Sequence, residues 1–158
     1  MAANIQLSID LTPLRQLAAQ LGKDIDSLDY RKPLNVIKIL LTNATKECFH
    51  GSHDPEGRSW APLKKPRAKK SKGRRKGTAS SAPLIDTGNL WRSVGAGTDA
   101  INEVGQHHME YGTNVKYAHF HQDGTKHIPA RPFLGITDKQ VQQFEDVLVK
   151  HVLKALGF

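Results

Sequence analysis

Apolar residues recur near the start of the chain at two spacings, which predict a strand followed by a helix. Ile5, Leu7 and Ile9 alternate with polar residues, the period of a half-buried strand over residues 4–9. Thr12-Pro13 then resembles a helix start, and the residues after it keep a helical spacing of apolar positions as far as residue 22.

The strongest helical pattern covers residues 31–49, and a second one closes the chain. The buried stripe of the first is expected to consist of Leu34, Ile37, Leu41, Ala44 and Cys48, with Val36 and Leu40 widening it. The last helix is expected to begin at Thr137, which has Gln140 at the capping-box position. Its buried side is expected to carry Val141, Phe144, Leu148, Val152 and Ala155.

Residues 51–83 have no such periodicity and are rich in Gly, Pro, Ser, Lys and Arg. This composition buries too little apolar surface to offset the cost of ordering a backbone, about 1 to 2 kcal/mol per residue. A mobile loop is therefore expected here, at least in the free protein. Order is expected to resume where Asp86 or Thr87 caps a short turn that carries Leu90 and Trp91.

The remaining elements are short and complete an α+β pattern. Residues 92–98 and 101–111 are expected to pair as an antiparallel hairpin joined near residues 98–100. A turn or short helix is expected over 117–121, and residues 128–133 must be extended because each proline disfavours the α region for its predecessor. We therefore expect a single α+β domain, with a small antiparallel sheet packed on the long helix and the C-terminal helix.

Charge is concentrated in the loop. The net charge is +8, yet ten of the 23 Lys and Arg residues lie between Glu56 and Asp86, where no acid occurs. The rest of the chain has 13 basic residues against 15 acidic ones, so it is slightly acidic. The residues that could contact DNA or an acidic partner are Arg58, Lys64, Lys65, Arg67, Lys69, Lys70, Lys72, Arg74, Arg75 and Lys76.

Several classes of protein are disfavoured. Cys48 is the only cysteine, which excludes an internal disulfide and predicts a buried, inert thiol. No apolar run is long enough for a membrane span, and the start lacks the pattern of a signal peptide, so synthesis and use in the cytosol are expected. No nucleophile elbow or phosphate loop occurs, so neither an enzyme nor a cofactor is expected.

Four motifs stand out: residues 54–63 (DPEGRSWAPL), 84–93 (LIDTGNLWRS), 117–124 (YAHFHQDG) and 128–135 (IPARPFLG). In this order they resemble the phage virion morphogenesis, or tail-completion, family over residues 34–156. The residues that match the family pattern are Asp54, Pro55, Gly57, Trp60, Pro62, Leu63, Thr87, Gly88, Leu90, Ser93, Tyr117, Ala118, His121, Gln122, Gly124, Pro129, Ala130, Arg131, Pro132, Phe133, Leu134 and Gly135.

The resemblance implies an α+β fold and a structural role at the phage head–tail junction, in the virion, after assembly in the host cytoplasm. Such a neck or tail-completion subunit would form a ring with copies of itself, commonly six. Its neighbours would be the tail tube or tail terminator and the head–tail connector, with packaged DNA in the lumen and no membrane.

The residues themselves leave alternatives open. Trp60, Trp91, Tyr117 and Phe133 suit core packing, with subunit contact as the second interpretation. Arg131 suits either a carboxylate such as that of Asp86 or exposed carbonyl groups, and contact with a neighbouring subunit is the second interpretation.

Two further hypotheses concern ligands. The spacing His119-x-His121, with His127 or His53, suits a structural zinc ion, against which the flexible sequence around His127 counts. The basic stretch 58–76 suits either nucleic acid or an acidic protein surface. A small nucleic-acid-binding protein that uses this arm is therefore the alternative to the virion role.

Overall fold

The computed structural model describes residues 3–6, 16, 19, 20, 25–64 and 82–158, with the first four as backbone only. The elements are strand β1 (Ala3–Gln6), helix α1 (Arg31–Gly51), helix α2 (Asn89–Ser93), strand β2 (Ala100–Val104), strand β3 (Met109–Thr113), helix α3 (Ala118–Gln122) and helix α4 (Asp138–Leu156). The α+β prediction is confirmed. The predicted helix over 12–22 lies outside the described residues, apart from three helical positions.

The sheet is antiparallel, with the strand order β1-β3-β2, so β3 lies in the centre. Its register pairs Tyr111 with Ile5 on one side and with Asn102 on the other. Met109, Tyr111 and Thr113 alternate along β3 and are buried, because one face of the sheet packs against α1. The Tyr111 hydroxyl donates to the Val94 carbonyl at 2.6 Å, which satisfies this buried polar group.

Helix α1 buries the predicted stripe, including Leu34, Ile37, Leu41 and Cys48, while Ala44 and Leu40 are half-buried. The prediction for Val36 is wrong, since this side chain is 45% exposed. One residue corresponds to about 100° of helix rotation, so Val36 lies a quarter turn away from Ile37 and outside the contact with the sheet.

Helix α4 begins as predicted. The Thr137 side chain accepts a hydrogen bond from the Gln140 N–H, and the Gln140 side chain accepts one from the Thr137 N–H, so the capping box is complete. The helix packs beside α1 and buries Phe144, Leu148 and Val152. Ala155, expected on the buried side, is exposed instead, because the inward stripe continues from Val152 to the half-buried Leu156 at four-residue spacing.

The hairpin lies further along the chain than predicted. Residues 89–93 form helix α2, and both strands of the hairpin overlap the range 101–111, which was expected to form its second strand alone. The chain reverses over residues 105–108, where the Gly105 N–H donates to the His108 carbonyl at 2.9 Å. The predicted strand over 92–98 fails because Ser93 and Val94 are buried by helical and turn geometry, which period-2 alternation does not describe.

The cap of α2 also differs from the prediction. Its N-cap is Gly88, in the left-handed region at φ 76°, where a residue with a side chain would be strained. Neither Asp86 nor Thr87 caps the helix, although the Thr87 hydroxyl lies 3.4 Å from the Asn89 nitrogen and accepts its N–H.

Part of the predicted loop over 51–83 is described, and that part is structured. Residue 51 is the last of α1, and residues 53–59 form a hydrogen-bonded turn that buries Asp54. Trp60 then enters the core at 6% exposure. Residues 65–81 lie outside the described residues, and the mobility of the loop stays a prediction.

Candidate functional site

The first motif folds into a tight turn directly after α1. A bridge pairs His53 with Ser59, and the Asp54 N–H donates to the Arg58 carbonyl at 2.9 Å. Gly57 closes the turn at φ 81°, a conformation that favours glycine. The turn brings the chain from the end of α1 back across the core.

Asp54 holds this turn from the inside. Burial of its carboxylate acts to raise its pKa, but the Arg58 N–H at 2.9 Å and the Arg58 guanidinium at 2.6 Å both donate to it. The hydrogen bonds outweigh burial and hold the pKa of Asp54 below its ordinary value. The Asp54 side chain is 7% exposed against 76% for Arg58, so the ion pair lies at the surface with its carboxylate end buried.

The first and fourth motifs are joined by hydrogen bonds between side chains and the main chain. The Trp60 indole N–H donates to the Pro132 carbonyl at 2.8 Å, and Arg131 donates in the other direction, to the Ala61 carbonyl at 2.7 Å and the Pro62 carbonyl at 3.1 Å. These partners are about 70 residues apart in the chain. The alternative that Arg131 caps carbonyl groups is thus observed, and its pairing with a carboxylate stays a prediction.

The third motif joins the same site through Gln122. Its side-chain carbonyl accepts the N–H groups of Phe133 at 3.1 Å and Leu134 at 3.2 Å. Its amide N–H donates to the Leu134 carbonyl at 2.6 Å. The Arg131 N–H also donates to the His121 carbonyl at 2.7 Å, so three residues of the extended segment, Arg131, Phe133 and Leu134, are bonded to α3.

Two motif glycines are required by close packing here. A Cβ atom on Gly124, which has φ 76°, would lie 2.7 Å from the Ala130 nitrogen. A Cβ on Gly135 would lie 2.8 Å from Cγ of Pro55, which ties the end of the fourth motif to the first. We call residues 53–63, 117–124 and 128–135 the three-segment junction.

Aromatic rings fill the inner side of the junction. Phe49, from the last turn of α1, lies 5.8 Å from the Trp60 ring and 5.3 Å from the Phe133 ring, measured between centroids. Trp60 and Phe133 are buried, as the core-packing interpretation expects. The inner side of the junction is therefore apolar, and its residues serve the packing of the fold.

The second motif packs elsewhere. Leu84 and Leu90 are buried in the common core, and the Ser93 hydroxyl lies 2.7 Å from the Thr113 hydroxyl of the central strand. Thr87 is exposed. The first, third and fourth motifs therefore meet in the fold, whereas the second motif packs against the sheet.

Two aromatic side chains, one in α3 and one at its N-cap, lie outside the core. Tyr117 is 42% exposed, so core packing is the wrong interpretation for this residue, and Phe120 is 45% exposed. The His121 ring contacts Tyr117 edge-on at 5.9 Å. Trp91, on α2, is half-buried. Phe120 is not among the residues that match the family pattern, and only its position within the third motif points to it.

A groove of about 410 Å³ lies between α1, the start of α4 and the junction. Cys48 lines its floor, and burial raises the pKa of this thiol to about 11, which agrees with an inert cysteine. Across the described ranges, no three His, Cys, Asp or Glu side chains come together as a metal site would need, so the zinc hypothesis gains no support there. No helix in the described part is long and apolar enough to cross a membrane.

Of the ten basic loop residues, Arg58 and Lys64 are described. Arg58 belongs to the turn through its bonds to Asp54, and Lys64 is exposed. The other eight lie outside the described residues.

The comparison with protein families decides the affiliation of the chain. Residues 9–153 match the phage virion morphogenesis family, which is most of the chain and includes the whole junction. The chain belongs to this family. Membership assigns it a part in the assembly of the bacteriophage virion. Searches of curated proteins and of solved structures gave no match.

Proposed function

We propose that this family member is a tail-completion or neck subunit at the phage head–tail junction, and that it works by binding, without turnover. It forms a ring of like copies that finishes the tail and allows a filled head to dock. Its neighbours are the tail tube or terminator on one side and the head–tail connector on the other.

The observation that carries this proposal is the contrast between the inside and the outside of the junction. Inside, the motif side chains serve the fold, because Trp60, Gln122 and Arg131 bond to main-chain groups of other motif segments. Outside, Tyr117 and Phe120 present two large aromatic side chains to solvent from a rigid base. Exposed aromatic residues on rigid elements are typical anchors of protein interfaces.

Two different exposed patches on one subunit favour assembly into a ring. In a heterologous contact, one patch of each subunit meets a different patch of the next, and the ring closes when the rotation between copies does. The aromatic pair supplies one patch, and the exposed apolar side chains of α1, Val36 and Ile39, supply a candidate for the other. The groove beside α1 is a concave site near this second patch, into which an aromatic side chain of a neighbouring copy can pack.

Withdrawing the protein from a phage-producing culture tests the role directly. Negative-stain electron microscopy of the lysate is expected to show DNA-filled heads beside separate tails, with few joined particles. Normal virions in the absence of the protein would refute the proposal.

Supplying variants of the protein to that depleted culture then tests the exposed aromatic pair. The double variant Tyr117→Ser/Phe120→Ser is expected to fold but not to restore joined particles. A matched change of two exposed apolar residues on another face, Val149→Ser/Leu153→Ser, is expected to restore them. Full restoration by the aromatic variant would remove these two residues from the interface.

A further inference from the structure

Helix α1 carries a row of basic residues on a face that does not meet α4. Lys38, Thr42, Lys46 and His50 follow each other at four-residue spacing, the spacing of the side-chain ridges of a helix. Successive members are about 6 Å apart along the axis. The only acidic residue of α1, Glu47, instead lines the groove toward α4.

The charges of this row are not neutralised by ion pairs within the described part of the chain. The ion pairs found there join Arg31 to Asp29 and Arg58 to Asp54. Lys38 and Lys46 make none with a described carboxylate. The Thr42 hydroxyl is used by the helix itself, since it donates to the Lys38 carbonyl at 2.8 Å.

An aromatic ring lies at the end of the row. The Lys46 ammonium is 5.9 Å from the centre of the Trp91 ring, and the His50 ring meets Trp91 edge-on at 6.0 Å. The Trp91 indole N–H is buried and finds no acceptor among the described residues.

Gly95 lets Lys46 extend across this surface. A Cβ atom there would lie 3.1 Å from Cε and 3.3 Å from Nζ of Lys46, tighter than an ordinary contact. The result is a surface formed by Lys38, Lys46, His50 and Trp91, which we call the basic ridge.

We propose that the basic ridge binds the phosphate backbone of a nucleic acid. The chain outside the loop has slightly more acidic than basic residues, but that count averages over all faces of the molecule, whereas phosphate groups respond to the local electrostatic potential. Ammonium groups suit phosphate as point charges, and the half-buried Trp91 ring offers an apolar surface against which a backbone sugar can pack. The inference goes beyond the proposed function, because it does not depend on where the protein sits in the virion.

The test measures the binding of a short fluorescein-labelled DNA duplex to the full chain by fluorescence anisotropy, between about 50 and 200 mM salt. The variant Lys38→Gln/Lys46→Gln removes the two ridge lysines. The control Lys139→Gln/Lys150→Gln removes two exposed lysines of α4, so both variants lose the same charge. Each phosphate contact contributes about 0.9 to the slope of log K against log salt, so the ridge variant is expected to lower the slope by about two.

The control variant is expected to leave that slope unchanged. Equal losses in both variants would mean that net charge, and not the ridge, drives binding. An unchanged ridge variant, or a wild-type chain that does not bind the duplex at low salt, would likewise overturn the proposal. Repeating the titration with labelled poly-glutamate covers an acidic protein partner, and a ridge effect confined to poly-glutamate would replace the nucleic acid by that class.

Tryptophan fluorescence provides a readout that needs no change in the ridge lysines. The chain has two tryptophans, and Trp60 is buried with its N–H bonded. Duplex binding is therefore expected to change the emission of Trp91, and the change is expected to vanish in Trp91→Phe. Emission that stays constant at saturating duplex would exclude contact at the ridge.

Discussion

Gln122 is the residue whose replacement best tests the three-segment junction, because one half-buried side chain satisfies three main-chain groups of another segment. In Gln122→Ala, the N–H groups of Phe133 and Leu134 and the Leu134 carbonyl lose their partner. Both of these residues are buried, at 0% and 3% exposure. An unsatisfied buried polar group costs about 1 to 3 kcal/mol.

Water can reach part of this site once the side chain is shortened, so the lower end of that range applies to each group. The free energy of unfolding is then expected to fall by about 3 kcal/mol. Urea unfolding followed by tryptophan fluorescence measures it, and an unchanged denaturant slope would show that the native state stays compact.

Two further variants make the result specific. Gln122→Glu keeps an acceptor for both N–H groups but loses the donor and places a carboxylate against the Leu134 carbonyl, so an intermediate loss is expected. Gln142→Ala removes an exposed glutamine of α4 and is expected to change stability by less than about 0.5 kcal/mol. If Gln122→Ala and Gln142→Ala cost the same, the junction is not held by this side chain.

Three other predictions follow from buried groups. Phe133→Ala is expected to lower the free energy of unfolding by about 3 to 5 kcal/mol in the same urea assay, because the ring is fully buried, and a loss below about 1 kcal/mol would contradict that burial. The pKa of Asp54 is lowered in the folded protein, so its carboxylate stabilises the fold above its ordinary pKa of 3.8, and this contribution is lost as the pH falls through the lower, folded value. Asp54→Asn is thus expected to destabilise the protein at neutral pH, with a gap to wild type that narrows in thermal melts below about pH 4, whereas a gap independent of pH would exclude a role for the charge. Cys48, with a pKa of about 11, is expected to react with a disulfide reagent at neutral pH only after unfolding. Fast labelling of the native protein would show that the reagent reaches the thiol through the groove.

Local patterns in the sequence were sufficient for the two long helices. The stripe from Leu34 to Cys48 predicted the buried face of α1, and Thr137 with Gln140 predicted the start of α4. Both signals are local, since helical periodicity and capping depend on residues within one or two turns. The same locality explains the errors at Val36 and Ala155, where the extent of the contact depends on what the helix packs against.

The hairpin and the cap of α2 could not be placed in this way. Short strands and turns have weak periodic signals, and the burial of Ser93 depends on the Thr113 hydroxyl, twenty residues away. Likewise, Tyr117 was expected in the core because aromatic residues usually are, but α3 turns this side chain outward.

By itself, the sequence determined the α+β class, the long helices, the concentration of charge in one loop and the motifs that mark the family. Only the tertiary structure decided that three of these motifs meet, that Arg131 and Trp60 exchange bonds with each other's segments, and that Lys46 lies beside Trp91. The physical reason is that hydrogen bonds and ring contacts act over a few ångströms of space, whatever the separation along the chain. A linear pattern shows which side chains need a partner, and folding selects the partner.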